Sequence, residues 1–474
     1  MIKLYNTSSR KKENLQPVKE GKIGIYACGP TVYDYFHIGN ARVFLVFDVL
    51  RRYLQYRGYK VTFVQNFTDI DDKMIKRADE LKISVEELAG RYIRAYQEDA
   101  EALGILPADY HPRATHHIPQ IIALIEKLME NNLAYELEGD IYFHVPSFPS
   151  YGKLSHQNLE ELSLGARVEI DERKRHPMDF ALWKKEKPGE PSWESPWGRG
   201  RPGWHIECSA MSMAYLGETL DIHGGGQDLI FPHHENEIAQ SEGATKRLFA
   251  RHWLHVGYLN IEEEKMSKSL GNVLTVRELI KEIDPMVLRF FMLSAHYRSP
   301  INFSREQLMQ AGKALERLNT LLYKLRERLE RVAEGVPVQE EQELLNFLTA
   351  SRKRFLEVMD DDFNTAEGTA VLFELARKTN VYLDRFPEQK RNVLQPILDF
   401  YNEVNNIFGF LQKGFEPVSA LEKEIEELIN TREKARREKN WALADAIREQ
   451  LKERNILLED TPHGVRWKIV DGEK

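Results

Sequence analysis

Residues 22–64 hold the pattern that most restricts what this chain can fold into. Lys22 to Ala27 is a short β-prone run ended by Cys28-Gly29-Pro30. Val43, Phe44, Phe47, Leu50 and Leu54 then recur at helical spacing until Gly58, which predicts a helix closed by a glycine cap. Val61-Thr62-Phe63-Val64 predicts a second strand. Strand, helix and strand at this separation form a βαβ unit, which requires a parallel sheet with its ligand site beyond the carboxyl ends of the strands. His37 falls there, at the start of the predicted helix.

A second unit of the same kind follows later. Thr219 to His223 predicts a strand, Gly224-Gly225-Gly226 a turn, and His233 to Ser241 a helix. A further strand-like stretch, Trp253 to Leu259, leads to Lys265-Met266-Ser267-Lys268-Ser269. One nucleotide-binding domain is therefore expected in two parts, 1–80 and 204–300, separated by an inserted domain over 81–203. Within the insertion, residues 187–203 are rich in Pro, Gly and Trp and read as a long loop. From Ser304 onward the pattern turns helical. Leu308, Leu315, Leu318, Leu321, Leu322 and Leu325 mark one amphipathic helix, and similar stripes recur to about Leu411, predicting a bundle over 301–412. Lys413 to Pro417 reads as a linker into a small module, 413–474, that ends in a strand at 464–469. The fold class is thus α/β: a Rossmann-like parallel-sheet domain split by an insertion, then an α-helical bundle and a small C-terminal module. A chain of 474 residues is long enough for such a set of domains.

Bulk properties narrow the function classes. There is no apolar run long enough to span a bilayer and no secretory signal at the N-terminus, so a cytoplasmic protein without a membrane partner is expected. A net charge of −8 weighs against a surface wholly devoted to nucleic acid but leaves room for a local basic face. The chain has only 2 cysteines, Cys28 and Cys208, which fits a reducing compartment and offers no disulfide framework. The position of each becomes informative.

Three constellations carry chemistry. His37-Ile38-Gly39-Asn40 opens a helix, where unpaired amides and an imidazole attract phosphate and Gly39 lets a ligand approach the backbone. An ordinary turn is the competing reading. Lys265 and Lys268, flanked by serines, can neutralise charge on a transferring phosphoryl group and on departing pyrophosphate. A solvated loop is the alternative, and it loses ground once the histidine turn is considered with it. Around Cys208 stand Trp204-His205-Ile206-Glu207 and, further on, Phe231-Pro232-His233-His234-Glu235-Asn236-Glu237. His233 and Glu237 share a helix face, and with two thiolates they would suit zinc. Position 238 is Ile, so this is not the His-Glu-x-x-His pattern of metalloproteases. Buried structural cysteines beside capping histidines remain the rival account. Gly224 to Gly226 lacks the Gly-x-Gly-x-x-Gly fingerprint, which speaks against nicotinamide or flavin, while Asp228 could accept from ribose hydroxyls. Asp69-Ile70-Asp71-Asp72-Lys73 reads as a helix cap rather than a metal site.

Taken together, these segments resemble the class I aminoacyl-tRNA synthetases and, within them, the cysteinyl-tRNA synthetase family. The likeness rests on Cys28-Gly29-Pro30-Thr31-Val32-Tyr33, the His37 turn, Asn66 to Lys73, Gly203 to Ser209, His223 to Glu237 and Lys265 to Ser269, and spans nearly the whole chain. It implies a zinc ion held by Cys28, Cys208, His233 and Glu237 that takes the substrate thiol as thiolate, with His233 rather than His234 chosen by the family's spacing. It also implies that His37, Asn40, Lys265 and Lys268 are catalytic, that Gly39, Asp228 and Lys268 contact ATP, and that Gly29, Thr31, Thr68 and Trp204 line the amino-acid pocket. One departure is visible: the fourth residue of the class signature is usually His and here is Asn40, whose amide can still donate to a phosphate.

The implied reaction is activation of L-cysteine by ATP with Mg²⁺, then transfer to the 3′ end of tRNA(Cys). Zinc favours a thiolate over a hydroxyl that stays protonated, so serine is rejected without an editing domain. The bundle and terminal module are expected to hold the tRNA, with a basic patch at Arg432, Arg436, Arg437 and Lys439. Arg436, Asp460 and Trp467 are anticodon candidates, although Asp460 and Trp467 read equally as a cap and a core residue. A monomer is expected. Two alternatives stand beside this reading. A ligase that joins cysteine to an amino-sugar shares the catalytic half, and the module at 419–474 speaks against it. A non-catalytic nucleotide-binding regulator is opposed by intact His37, Lys265 and Lys268.

Overall fold

A computed structural model describes residues 1–157, 173–261, 264–265, 274–386, 388–412, 414–415, 418–437, 440–454, 456–461 and 464–469. The chain opens with a hairpin of β1 (Lys3–Asn6) and β2 (Lys11–Asn14). β3 (Lys22–Ala27), α1 (Ile38–Tyr56) and β4 (Lys60–Gln65) then form the predicted parallel βαβ unit. Phe44, Phe47, Leu50 and Leu54 of α1 are buried, as their spacing requires. α2 (Asp72–Leu81) begins where the Asp71 carboxylate accepts from the Met74 N–H at 2.7 Å, so Asp71 is the cap expected of the acidic run, while Asp69 accepts from Thr115 and Asp72 pairs with Lys184 and Arg201. α3 (Val85–Ala102) buries Leu88, Tyr92, Ile93 and Tyr96 in the same apolar cluster as α1.

A separate apolar cluster starts with α4 (Ile118–Glu130) and includes Ile121, Ile125, Leu128, Phe143, Leu182 and Trp183. Against it lies an antiparallel sheet of β5 (Ala134–Leu137), β6 (Asp140–Phe143), β7 (Phe180–Lys185) and β8 (Gly200–Pro202). The stretch 187–203 is therefore not all loop. β8 pairs with β7, and Trp193 and Gly200 exchange backbone hydrogen bonds of 2.7 and 3.0 Å. Glycine is needed at 200, since a Cβ there would sit 2.3 Å from the Lys184 carbonyl oxygen.

α5 (Trp204–Leu216), β9 (Leu220–Gly226), α6 (Glu235–Thr245) and β10 (Ala250–Val256) return the chain to the central sheet, whose order is β10-β9-β3-β4. Gly224 to Gly226 was expected as a turn and instead completes β9. A Cβ on Gly224 would meet the Leu254 carbonyl oxygen at 2.0 Å and the Phe47 ring at 2.7 Å, so close packing of strand and helix selects glycine there. α6 starts at Glu235, with His233 and His234 in a wide π-type helical turn before it.

A three-stranded sheet of β11 (Leu259–Ile261), β12 (Glu264–Lys265) and β13 (Ile301–Phe303), in the order β12-β11-β13, follows with α7 (Val276–Leu279) and α8 (Pro285–Leu293). The bundle consists of α9 (Arg305–Leu329), α10 (Gln339–Asp360), α11 (Thr365–Arg385) and α12 (Arg391–Phe408), and the predicted leucines of α9 are buried. α13 (Val418–Arg437), α14 (Trp441–Glu453) and a hairpin of β14 (Ile456–Thr461) and β15 (Gly464–Ile469) complete the described chain. Among the described residues no helix is long and apolar enough to cross a membrane.

Candidate active site

A cavity of about 280 Å³ opens at the carboxyl ends of β3 and β9, lined by Cys28, Gly29, Thr31, His37, Asn40, Trp204 and Asp228. This is where a parallel sheet places a ligand. His37 is the N-cap of α1, and its Nδ1 accepts from the Asn40 N–H at 3.2 Å, which fixes the ring at the cavity rim. The Ile38 N–H donates to the Leu274 carbonyl at 3.0 Å and the Val276 N–H to the Phe36 carbonyl at 3.2 Å. The chain just beyond the lysine segment is thus bonded to the signature turn. Lys265 ends β12 opposite Asn260, and Lys268 lies outside the described residues.

The wall of the cavity shows why Gly29 is glycine. Its N–H donates to the Asn66 Oδ1 at 2.9 Å, and a Cβ would fall 1.7 Å from the Asn66 carbonyl oxygen. The Asn66 amide donates to the Thr68 hydroxyl at 3.3 Å, and the Thr68 backbone pairs with Pro30 and Val32. Thr68 itself is buried behind this wall rather than lining the cavity, whereas Trp204 is 40% exposed and stacks on His233 at 4.4 Å between ring centroids.

Four buried side chains converge beside the cavity, which they reach through Cys28. Cys28 follows β3, Cys208 stands in the second turn of α5, His233 precedes α6, and Glu237 lies in its first turn. Their ligand atoms all lie within 4.8 Å of one another. The two Sγ atoms are 3.9 Å apart, Cys28 Sγ is 3.6 Å from Glu237 Oε1, and His233 Nε2 is 3.0 Å from the same oxygen. Two thiolates about 2.3 Å from one tetrahedral ion stand about 3.8 Å apart, so the cluster fits such an ion. Cys28, His223, His234 and Glu237 form a second possible set, which shares two members and contains one thiolate. The first set, with two thiolates, is the softer and suits zinc better.

Charge in this cluster is organised by its neighbours. The hydrogen bond from Cys28 pulls the Cys208 thiol down to about 6 against the cost of burial. Burial first, then Cys208 and Glu237, push the Cys28 thiol well up. Burial alone would raise Glu237, but His223 and His233 draw its carboxyl down to about 2. Despite burial, Glu237 and Cys208 raise His233 to about 10. The cluster therefore holds anionic donors and a proton on His233, which a metal ion would displace.

Histidines around the cluster orient it, and only part of this was legible in advance. His205 Nδ1 lies 2.9 Å from His233 Nδ1, His223 Nε2 lies 2.8 Å from Glu237 Oε2, and His234 Nδ1 lies 2.7 Å from His255 Nε2. Such partners set tautomer and direction in a metal site. His205, His223 and His234 stood inside conspicuous motifs, while His255 had no signal beyond its place in a strand. Glu207 is also fully buried, and burial pushes its carboxyl well up.

The C-terminal candidates are less alike than the sequence suggested. Arg436 is exposed on α13, but Arg432 is only 4% exposed and so drops out of the expected basic patch; the side chains of Arg437 and Lys439 lie outside the described residues. The helical period of α13 puts Arg432 on the face of Ile425, Leu428 and Ile429, which charge counting could not reveal. Asp460 stands in β14 opposite Val465, with its side chain outside the described residues. Trp467 packs partly buried against the cluster of Ile425, Ile447, Leu451 and Ile456. Trp441, which the sequence reading passed over, is 58% exposed at the start of α14.

The class I (C) tRNA synthetase catalytic-domain family matches residues 14–313, the DALR domain matches 354–412, and the cysteinyl-tRNA ligase anticodon-binding domain matches 419–467. The chain is 55% identical over 467 residues to a cysteine–tRNA ligase of Geobacillus thermodenitrificans (strain NG80-2), covering 98% of this chain and 99% of that protein. In fold it is similar to Mycobacterium tuberculosis methionyl-tRNA synthetase in complex with methionyl-adenylate, with a TM-score of 0.61, 16% identity, and coverage of 81% of this chain and 89% of that one. It is similar to the same degree, TM-score 0.61 at 11% identity, to the LeuRS of an Agrobacterium radiobacter K84 ternary complex with tRNA, covering 86% and 87% of the two chains. The chain belongs to the cysteine–tRNA ligase family of class I tRNA synthetases and is an enzyme of that family.

Proposed function

We propose that this enzyme activates L-cysteine with ATP to cysteinyl-adenylate and transfers the cysteinyl group to the 3′ end of tRNA(Cys). The observation that carries the reading is the buried set of Cys28, Cys208, His233 and Glu237, whose Cys28 lines a cavity that His37 and Asn40 also line. These four residues would hold a zinc ion, which when bound supplies a soft Lewis-acid site that takes a thiolate in preference to a hydroxyl. Trp204, stacked on His233 at the cavity mouth, closes over the side chain, and Gly29 with Asn66 and Thr68 shapes the wall against its amino-acid end.

In the first step the cysteine carboxylate attacks the α-phosphorus of ATP, which is bound with Mg²⁺. The bond to the bridging oxygen breaks and pyrophosphate leaves. His37 and Asn40 face the phosphates from the α1 N-terminus, while Lys265 and Lys268 neutralise the leaving group. Asp228, exposed at the end of β9, accepts from the ribose. In the second step the terminal ribose hydroxyl attacks the adenylate carbonyl, AMP departs, and the hydroxyl proton passes to the departing phosphate. Arg436, Asp460, Trp467 and the exposed Trp441 are the candidates for holding the anticodon, and the protein acts as a monomer.

ATP–pyrophosphate exchange with cysteine and with serine, followed by tRNA charging, tests this. Exchange that depends on cysteine and is at least about 10⁴-fold weaker with serine is expected, since recognition through one specific bond reaches that ratio. Exchange without cysteine, or exchange with no charging, overturns it.

A further inference from the structure

We propose that Arg42 is a positioning residue for the ATP-consuming step, setting the lysine-bearing sheet in place against His37 and Asn40. The inference rests on the proposed role of Lys265 and Lys268 as ATP contacts.

Arg42 stands in the second turn of α1 and is fully buried. Its Nη1 donates to the carbonyls of Gly257 at 2.9 Å and Tyr258 at 3.0 Å, and its Nη2 to those of His296 at 3.1 Å and Ser299 at 2.7 Å. Gly257 and Tyr258 lead directly into β11, and His296 and Ser299 lie just before β13. These strands are parallel neighbours, Leu259 opposite Ile301, and β11 in turn pairs with β12 through Asn260 and Lys265. One guanidinium thus gathers the entrances of two strands onto the helix whose first residues form the signature turn. Gly257 has no room for more: a Cβ would meet the carbonyl oxygens of Arg298 and Ser299 at 2.6 Å.

The same corner is gripped from the other side. Asp362, fully buried between α10 and α11, accepts from the Tyr297 hydroxyl at 2.8 Å, from Arg298 Nη2 at 2.7 Å and from the Tyr5 N–H at 2.7 Å. It adopts φ = 66°, a left-handed conformation that a non-glycine residue keeps only where its surroundings demand it. Residues 296–299 are held between a bundle carboxylate and a catalytic-helix guanidinium.

Arginine is required by the chemistry of the contact. A planar fork can serve carbonyls from two segments at once, and an ammonium cannot span them. An apolar side chain would avoid burying a charge among neutral carbonyls, but would leave all four carbonyls without this donor. Arg42 is absent from the cavity lining, so it acts through the backbone it holds. Displacement of a reacting group by about 1 Å costs about 10²-fold, which is the scale at stake if β12 shifts.

The test is ATP–pyrophosphate exchange by full-length Arg42→Lys. A fall of about 10- to 100-fold in kcat/KM for ATP is expected. The KM for cysteine should stay within about twofold and bound zinc per chain should be unchanged, because Cys28 and Cys208 do not touch this corner. Gly257→Ala, whose Cβ would press on the Ser299 carbonyl that Arg42 holds and on the neighbouring Arg298 carbonyl, should reproduce the signature and carries the test if Arg42→Lys does not fold. A folded variant with wild-type ATP parameters overturns the proposal, as does a loss that falls equally on ATP and cysteine. Absence of cysteine-dependent exchange in the unaltered enzyme would instead sink the proposed function.

Discussion

Cys28, Cys208, His233 and Glu237 come from segments scattered over the first half of the chain, yet all four are buried within one sheet domain. The module from Val418 to Ile469 is built the opposite way. Its helices pair with each other, its strands form one hairpin, and its apolar cluster consists of Ile425, Ile447, Leu451 and Ile456 with a few partly buried neighbours. The first region is ordered by long-range packing against a large core and the second by local contacts around a thin one. Local units of that kind open independently of the global fold. The difference teaches that, in the proposed roles, amino-acid selection and RNA grip rest on separable stabilities, so each should be removable without the other.

The largest effect that would sharpen this contrast is expected from Cys208→Ser. Bound zinc should be lost and kcat/KM for cysteine should fall at least about 10³-fold, because on the proposed reading discrimination rests on one specific bond. Metal analysis that still finds one zinc per chain removes Cys208 from the ligand set. Next is pH. Metal-free, the cluster holds a proton on Cys28 and one on His233, and Cys208 gains a third as pH falls through about 6. Metal binding must displace them, so affinity falls with falling pH, by about 10²-fold per unit above pH 6 and more steeply below. Chelator competition at several pH values measures the slope; a flat profile would contradict the charge arrangement. Deletion of residues 413–474 comes third. Charging of tRNA should drop about 10²-fold in kcat/KM, from loss of contacts worth about 1–3 kcal/mol each. Pyrophosphate exchange should stay within about twofold, and equal losses in both assays would break the comparison. The smallest change is Trp441→Ala, where loss of one exposed stacking surface should weaken charging about tenfold and leave exchange and melting temperature alone.

Much of the architecture was legible because period and punctuation agree with it. The run Lys22 to Ala27 and the stripe from Val43 to Leu54 became β3 and α1, and the leucines after Ser304 became the buried face of α9. Glycine misled where its absence of side chain served packing rather than turning, as at Gly224 and Gly200. The family motif identified Cys28, Cys208, His233 and Glu237, and their convergence follows from the sheet topology. His255 and Arg42 were not legible. Each is a polar residue in an apolar element, and only the partners it meets far along the chain, His234 for one and four carbonyls for the other, reveal what it does.

The separation of the four donors also has a consequence in time. Cys28 and Glu237 are 209 positions apart. At about 5–20 residues per second of synthesis, Cys28 waits roughly 10–40 s before its last partner is made. β3 waits with it, since its neighbour β9 is synthesised only after the whole antiparallel insertion. A growing chain therefore presents a lone thiol beside an unpaired strand edge during that interval; the sheet β5–β8 is made within it, but the cluster beneath that sheet also needs Ile206 and Ala210 of α5 and Ala239 of α6. Under the proposed ligand set, a metal ion can meet all four donors only after Glu237 is made, when β10 and the whole bundle are still to come.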